Sequence, residues 1–298
     1  MPDFEGVVPA IITPMFADGE INEEGFRAVM EDNIQAGVHG FWTAGGTGES
    51  VLLTDDENHR IARAAVDQNQ GRTKIIMHVG AQTTVRAARN AEHAARAGAD
   101  AVCAVPPFFV RPGDGGIVDY YKTVAEAADL PLFVYNLPQA TGVNITPDLM
   151  RQLQDNVPHL TGLKHSAPDI NDVYNFAQMG LRVFTGMGRM MLPALTIGAA
   201  GCVDGPPCLA PELWVAIWEA YNARDLDRAE EAQAKASEVM DFLIDLGYIG
   251  ALKTAVGERL GIETGDPRPP NLGATPEQKV AAREAVHRLG LAKVAKAA

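Results

Sequence analysis

The sequence predicts a (β/α)8 TIM barrel with a C-terminal helical extension, and three observations carry that prediction. Eight short apolar runs recur at an even pace before Pro211. Segments with helical spacing lie between them. After Pro211 the pattern turns wholly helical. Regular alternation of strand and helix on this scale builds a parallel sheet covered by helices. A doubly wound sheet is the competing architecture, but it would more often show fewer strands and a nucleotide-binding loop.

The strand-like runs are 6–13, 40–44, 74–80, 101–108, 131–136, 160–166, 182–186 and 201–204. Each is bounded by Gly or Pro and is often β-branched or aromatic, as buried strands are. Helical spacing predicts helices at 24–35, 56–68, 84–97, 117–128, 147–154, 169–179 and 190–199. Thr54-Asp55-Asp56-Glu57 has the form of a capping box, and Thr146-Pro147 puts Pro at a first helical position. Beyond Pro211, helices are predicted at 212–222, 226–246, 249–260 and 276–289, with a Pro/Gly-rich loop at 261–273. In the second of these, Leu226, Ala229, Ala232, Ala236, Val239, Met240 and Leu243 form one apolar stripe, read as a packing face on the barrel. The predicted organisation is a catalytic barrel over 1–220 and a helical extension over 221–298, ending in an Ala/Lys-rich tail.

With 47% hydrophobic and 21% charged residues, the chain has the composition of a globular protein. Its formal net charge of −13 argues against nucleic acid or an anionic membrane as partner. Met1-Pro2-Asp3-Phe4-Glu5 carries two acids and no basic cluster, so no signal peptide is expected. The longest apolar stretch, 190–203, is too short and too glycine-rich to span a bilayer. Cys103, Cys202 and Cys208 make no even disulfide set and no CxxC pair. A cytoplasmic protein with reduced, mostly buried thiols is expected.

Reactive groups in such a barrel belong at the C-terminal ends of the strands. The sixth run, Leu160-Thr161-Gly162-Leu163-Lys164-His165-Ser166, ends in a lysine. An ammonium ion is costly to bury, so either the strand end is solvated or the amine is held neutral for chemistry. At the ordinary pKa only about one lysine in 2,500 is neutral at pH 7, so a nucleophilic lysine needs a desolvated site. Tyr135 ends the fifth strand, next to Lys164 in the predicted order. It is either a proton shuttle or a rim residue anchored through its hydroxyl. Gly45-Gly46-Thr47-Gly48-Glu49-Ser50 follows the second strand, and its small residues expose backbone N–H groups suited to a carboxylate or phosphate. A plain tight turn is the alternative. It is not a P-loop, and Val51 stands where GxGxxG needs its third glycine. Together, lysine, tyrosine and anion-binding loop describe a Schiff-base site for a 2-oxo acid. The seven histidines form no HExxH and no ligand cluster, so neither metal nor other cofactor is expected. His78 reads as a satisfied core histidine, and only His165 abuts a candidate site. No GxSxG nucleophile elbow is present.

These residues resemble the N-acetylneuraminate lyase and dihydrodipicolinate synthase family of class I aldolases over nearly the whole chain. The motifs are Gly45 to Ser50, Tyr135-Asn136-Leu137-Pro138, Gly162-Leu163-Lys164 and the helical extension. The resemblance implies that Lys164 forms an imine with pyruvate, that Tyr135 shuttles protons, and that Gly46 and Thr47 bind the pyruvate carboxylate. It implies a homotetramer, a dimer of dimers. The runs from His78 to Thr84 and from Leu243 to Thr254 look closer to the lyase branch. Ala140 stands where the synthase branch has an arginine for the second carboxylate, which argues against dihydrodipicolinate synthesis. Three departures separate the chain from sialate lyases. Gly46 replaces the first loop hydroxyl, Phe109 replaces the fourth-loop tyrosine, and Gly188-Arg189 replaces an acidic pair. Arg189 is either a surface residue or a partner for an acidic substrate tail, which a guanidinium suits.

The candidate site is therefore Lys164, Tyr135 and Thr47 for catalysis. Gly46, Thr47 and Gly48, with Gly186, Arg189 and Asp204 at the ends of strands seven and eight, are the candidates for binding substrate. The expected activity is a Schiff-base lyase cleaving or forming a 4-hydroxy-2-oxo acid, with pyruvate as one partner and sialic acid not the substrate. Two alternatives accompany it. One is a dehydratase of a 2-keto-3-deoxy sugar acid using the same imine, and the other is a non-catalytic 2-oxo acid binding protein.

Overall fold

The structure, a computed structural model, describes residues 4–293. The first three residues of the N-terminal run and residues 294–298 of the Ala/Lys-rich tail lie outside that range. Strands form in all eight apolar runs: β1 (Gly6–Val7), β2 (Gly40–Thr43), β3 (Lys74–His78), β4 (Ala101–Ala104), β5 (Leu132–Asn136), β6 (Leu160–His165), β7 (Arg182–Thr185) and β8 (Gly201–Cys202). Every pairing is parallel, in the order β1-β8-β7-β6-β5-β4-β3-β2. The remaining gap is spanned by an Ala10–Trp42 bridge and by the His39 and Trp42 N–H groups, which donate to Val7 O (2.8 Å) and Pro9 O (2.9 Å). This is the expected (β/α)8 barrel.

Several strands stop earlier than their apolar runs. β1 ends at Val7 rather than 13, with Pro9 beyond it, and β4 ends at Ala104 rather than 108, before Pro106-Pro107. Proline has no N–H for a ladder, so the fourth run continues as an extended mouth loop, whereas the first keeps isolated backbone bonds past Pro9, Ala10 N donating to Asp204 O at 2.8 Å. β3 and β8 also end two residues early, at His78 and Cys202.

The barrel helices are α1 (Glu23–Gln35), α2 (Asp55–Asn69), α3 (Thr84–Ala97), α4 (Asp114–Ala128), α5 (Pro138–Thr141), α6 (Pro147–Asn156), α7 (Asn171–Gln178), α8 (Met191–Thr196) and α9 (Pro211–Asn222). The capping box forms at α2, where Thr54 and Glu57 satisfy each other's backbone N–H, and Pro147 opens α6. The four-residue α5 was not foreseen; Pro138 starts it and Gly142, at φ 70°, ends it. Then follow α10 (Leu226–Asp245), α11 (Ile249–Leu260) and α12 (Pro276–Arg288). The α10 stripe is buried as predicted except at Leu226, half-exposed in the first turn, and α10 packs on α8 and α9. Among the described residues no helix is long and apolar enough to cross a membrane.

Alternate strand residues divide between two cores. Trp42, Ile76, Cys103, Phe133 and Phe184 fill the barrel, while Phe41, Ile75, Val102, Leu132 and Val183 face the helices. All three cysteines are buried and free. This filled interior leaves the strand ends as the place where polar side chains converge.

Candidate active site

Tyr135 and Lys164 are register partners on β5 and β6, so both side chains leave the sheet toward the barrel interior. A register shift sets this phase, because Leu132 pairs with Leu160 but Phe133 pairs with Gly162. Without the extra residue Tyr135 would pair with Leu163, which faces the helices. One residue of slip exchanges faces, and a bulge is the device that re-aims a side chain. Lys164 is 4% exposed, and its Nζ lies 4.3 Å from the centroid of the Tyr135 ring and 5.6 Å from that of Trp42. Among the described residues no hydrogen bond or ion pair engages the amine.

His78 stands beside this pair, edge-on to Tyr135. The Val105 N–H donates to its Nε2 (3.4 Å), so the ring proton sits on Nδ1, facing Ser50 Oγ at 3.1 Å. Burial first, and then the Lys164 charge, hold its pKa down at about 4. It is the satisfied core histidine that the sequence suggested. His165 points to the other face, bonded to Asn136 and to the Asp169 carbonyl.

The loop after β2 bends through two left-handed residues, Ala44 at φ 49° and Glu49 at φ 63°. A Cβ on Gly46 would lie 4.0 Å from the Tyr135 hydroxyl, so the loop faces that tyrosine. Gly48 turns away and its carbonyl accepts from Thr13 Oγ1 at 2.7 Å. Beneath the loop, Glu49 and Lys253 form a fully buried ion pair at 3.0 Å. The Arg268 backbone N–H donates to the other Glu49 oxygen at 2.7 Å, and Lys253 also donates to Asp266 O. Burial pulls the Lys253 pKa down while Glu49 pushes back. This support from α11 and the loop after it was missed; Lys253 in an otherwise apolar turn, Ala251-Leu252-Lys253, was its signal.

On the far side of the mouth, Asp204 follows β8. Its Oδ2 accepts from Gly188 N (2.7 Å), and its Oδ1 from Gly205 N (2.8 Å) and the Tyr248 hydroxyl (3.3 Å). Burial raises the Asp204 pKa, against the pull of Lys164 and these donors. Tyr248 caps α11 with φ 46°, a backbone that bulky residues rarely adopt. A Cβ on Gly205 would meet Tyr248 Oη at 2.6 Å and Thr47 Oγ1 at 3.0 Å, so glycine lets both hydroxyls reach this corner. Gly186 is constrained likewise, since its Cβ would lie 1.8 Å from Ser166 Oγ.

Gly46, Thr47, Tyr135, Lys164, Gly186 and Asp204 line one cavity of about 480 Å³. Leu137, Gln139, Ser166, Pro168, Met187 and Tyr248 complete its wall. Two nominated residues stand apart from that lining: Gly48, turned under its loop, and Arg189, half-exposed and ion-paired with Asp241 of α10. Phe109 is 95% exposed at φ 73°, also away from the cavity. A wider cleft of about 950 Å³ runs from 15–19 to α12, but its Arg268, Lys279 and Arg283 are each paired with an acid. The smaller cavity gathers an amine, a phenol, a hydroxyl-bearing loop and one carboxylate at the strand ends.

A family model described as the dihydrodipicolinate synthetase family matches residues 3–289. The chain is similar to a 4-hydroxy-tetrahydrodipicolinate synthase of Methanopyrus kandleri, 33% identical over 96% of this chain and 97% of that one. It is 35% identical to an uncharacterized DapA-like lyase of Halobacterium salinarum strain R1, over 96% and 94% of the two chains. Among solved structures, CdNal from Clostridium difficile in complex with mannosamine superposes with a TM-score of 0.91. That protein is 29% identical, with 96% of this chain and 99% of that one covered.

Proposed function

The chain belongs to the dihydrodipicolinate synthetase family of aldolase-type lyases, and on that premise we propose a class I enzyme whose Lys164 forms a Schiff base with a 2-oxo acid. The reaction is cleavage or formation of a 4-hydroxy-2-oxo acid, with pyruvate as one partner. In the cleavage direction the Lys164 amine attacks the C2 ketone. The carbinolamine takes up a proton on its hydroxyl and loses water to give an iminium ion, the proton being returned when the imine is hydrolysed. The C4 hydroxyl gives up its proton and the C3–C4 bond breaks. Its electron pair flows to the iminium nitrogen, leaving an enamine and releasing an aldehyde. Protonation of C3 and hydrolysis of the imine free pyruvate and the amine. Tyr135 carries the proton to and from the C4 oxygen, and Gly46 with Thr47 holds the C1 carboxylate.

The observation that supports this reading best is the pairing of Lys164 with Tyr135, the amine 4.3 Å over the ring in a cavity that, among the described residues, has no other lysine. Ala140, on α5 beside the cavity-lining Gln139, supports a substrate other than that of the synthase relatives. The reading extends to a cytoplasmic homotetramer, which light scattering would test as a particle of four chains.

A panel of 4-hydroxy-2-oxo acids, assayed for both pyruvate release and loss of water, tests the activity. Pyruvate release that disappears in Lys164→Ala, by about 10⁴-fold or more, is the expected result. Loss of water without pyruvate would overturn the aldolase reading.

A further inference from the structure

Resting on the Schiff-base reading, the geometry points to Asp204 and Tyr248 as the pair that selects the aldehyde partner, an uncharged hydroxyaldehyde whose hydroxyl donates to the Asp204 carboxylate.

Among the described residues the cavity wall contains one basic side chain, Lys164, and one acidic side chain, Asp204. Once Lys164 is bound through the imine to C2, its charge is matched by the C1 carboxylate of the same molecule. The group left to meet the rest of the substrate is Asp204. Among the described residues no arginine, histidine or second lysine lines the cavity, and Arg189, which could balance an acidic tail, is engaged by Asp241. An aldehyde carrying a carboxylate would thus be brought toward an anion with no free cation beside it, which disfavours it.

Asp204 is also held as an acceptor. An ionised carboxylate offers about four lone-pair directions. Gly205 N and Tyr248 Oη occupy Oδ1, while Gly188 N alone donates to Oδ2. Capacity for one further donor remains on Oδ2. Burial makes the anion costly, so a substrate hydroxyl donating there relieves more than it would at an exposed carboxylate. Tyr248 is kept in its position by a strained backbone, and such strain persists where the surroundings fix a side chain in place. Gly205 supplies the room that this contact needs. Leu137, Pro168 and Met187 make an apolar part of the wall, suited to the carbon edge of a small hydroxyaldehyde.

The test compares kcat/KM for condensation of pyruvate with glyceraldehyde, propanal and succinic semialdehyde in wild type, Asp204→Asn and Tyr248→Phe. Wild type should favour glyceraldehyde over each competitor by about 100-fold, since a site built to bond a hydroxyl rejects analogues lacking it. Asp204→Asn should shrink both ratios at least about tenfold, and Tyr248→Phe should shrink them less. A purely structural defect lowers all three rates together and leaves the ratios standing, which would overturn the inference. Should Asp204→Asn fail to fold, Tyr248→Phe, which keeps the ring, decides alone. Wild-type preference for succinic semialdehyde would also overturn it. Borohydride trapping of pyruvate on wild-type Lys164 separates the two levels. An adduct without hydroxyl selectivity refutes this inference only, whereas no adduct refutes the Schiff-base reading and this inference with it.

Discussion

On the β5–β6 side of the cavity the two side chains proposed to react stand on paired strand residues, Tyr135 opposite Lys164, fixed by the ladder. On the β7–β8 side, Asp204 lies past the end of a two-residue strand and is held by donors from two turns and from the start of α11. A ladder fixes direction for every residue in it, so the first side holds groups whose chemistry tolerates little movement. Turns can change without disturbing the barrel, so the second side suits selection among substrates. The proposed division is that the strands carry the reaction and the turns choose the partner.

Substitution can break that division. Tyr135→Phe should lower turnover about 10²- to 10⁴-fold on every aldehyde alike, measured as kcat/KM across the panel. A loss confined to one class of aldehyde would move Tyr135 to the selecting side. Lys253→Ala tests what holds the β2 loop between the two sides. It leaves Glu49 buried without its cation and should cost about 3–5 kcal/mol in urea unfolding. An unchanged midpoint would mean that Arg268 and water suffice.

His78 offers a smaller effect with a defined sign. Its pKa is about 4 in the fold against 6.5 in a free chain. Above pH 6.5 the ring is neutral in both states and pH has no effect through it. Below 6.5 the unfolded chain takes up a proton that the fold refuses, so stability falls until about pH 4 and then levels. The total from His78 should be about 3 kcal/mol, and His78→Gln should lessen the slope of unfolding free energy between pH 7 and 4.5, leaving the part due to His39, His59 and His165, whose pKa values burial also lowers. Glu31 and Glu57, held at about 2 by Arg72 and Arg268, act mainly below that window. The smallest effect is expected at Arg189. Arg189→Ala breaks an exposed pair with Asp241, costing less than about 1 kcal/mol. KM for acidic substrates relative to neutral ones should not change, and a selective rise would bring Arg189 back to the substrate.

The first side of the cavity was legible in the sequence and the second only in part. Lys164 and Tyr135 close consecutive apolar runs, and period and position alone bring them to one mouth. Asp204 could be nominated in the same way, as the end of the eighth run. Tyr248 could not, because a left-handed residue between two helices leaves no periodic mark, and here the glycine precedes it. Arg189 was ambiguous because its partner lies 52 residues away on α10, and Glu49 finds Lys253 across 204 residues. Local pattern reports which face a residue occupies. It does not report which distant side chain will neutralise it. The early end of β4 has a simpler cause at Pro106, where an apolar run continues but the ladder cannot.

Whether Lys164 is the nucleophile is read from borohydride reduction in the presence of pyruvate, followed by peptide mass spectrometry. Lys164 should carry a reduced three-carbon adduct, absent without pyruvate. An unmodified Lys164 at saturating pyruvate, or an adduct on another lysine such as Lys253, would contradict it.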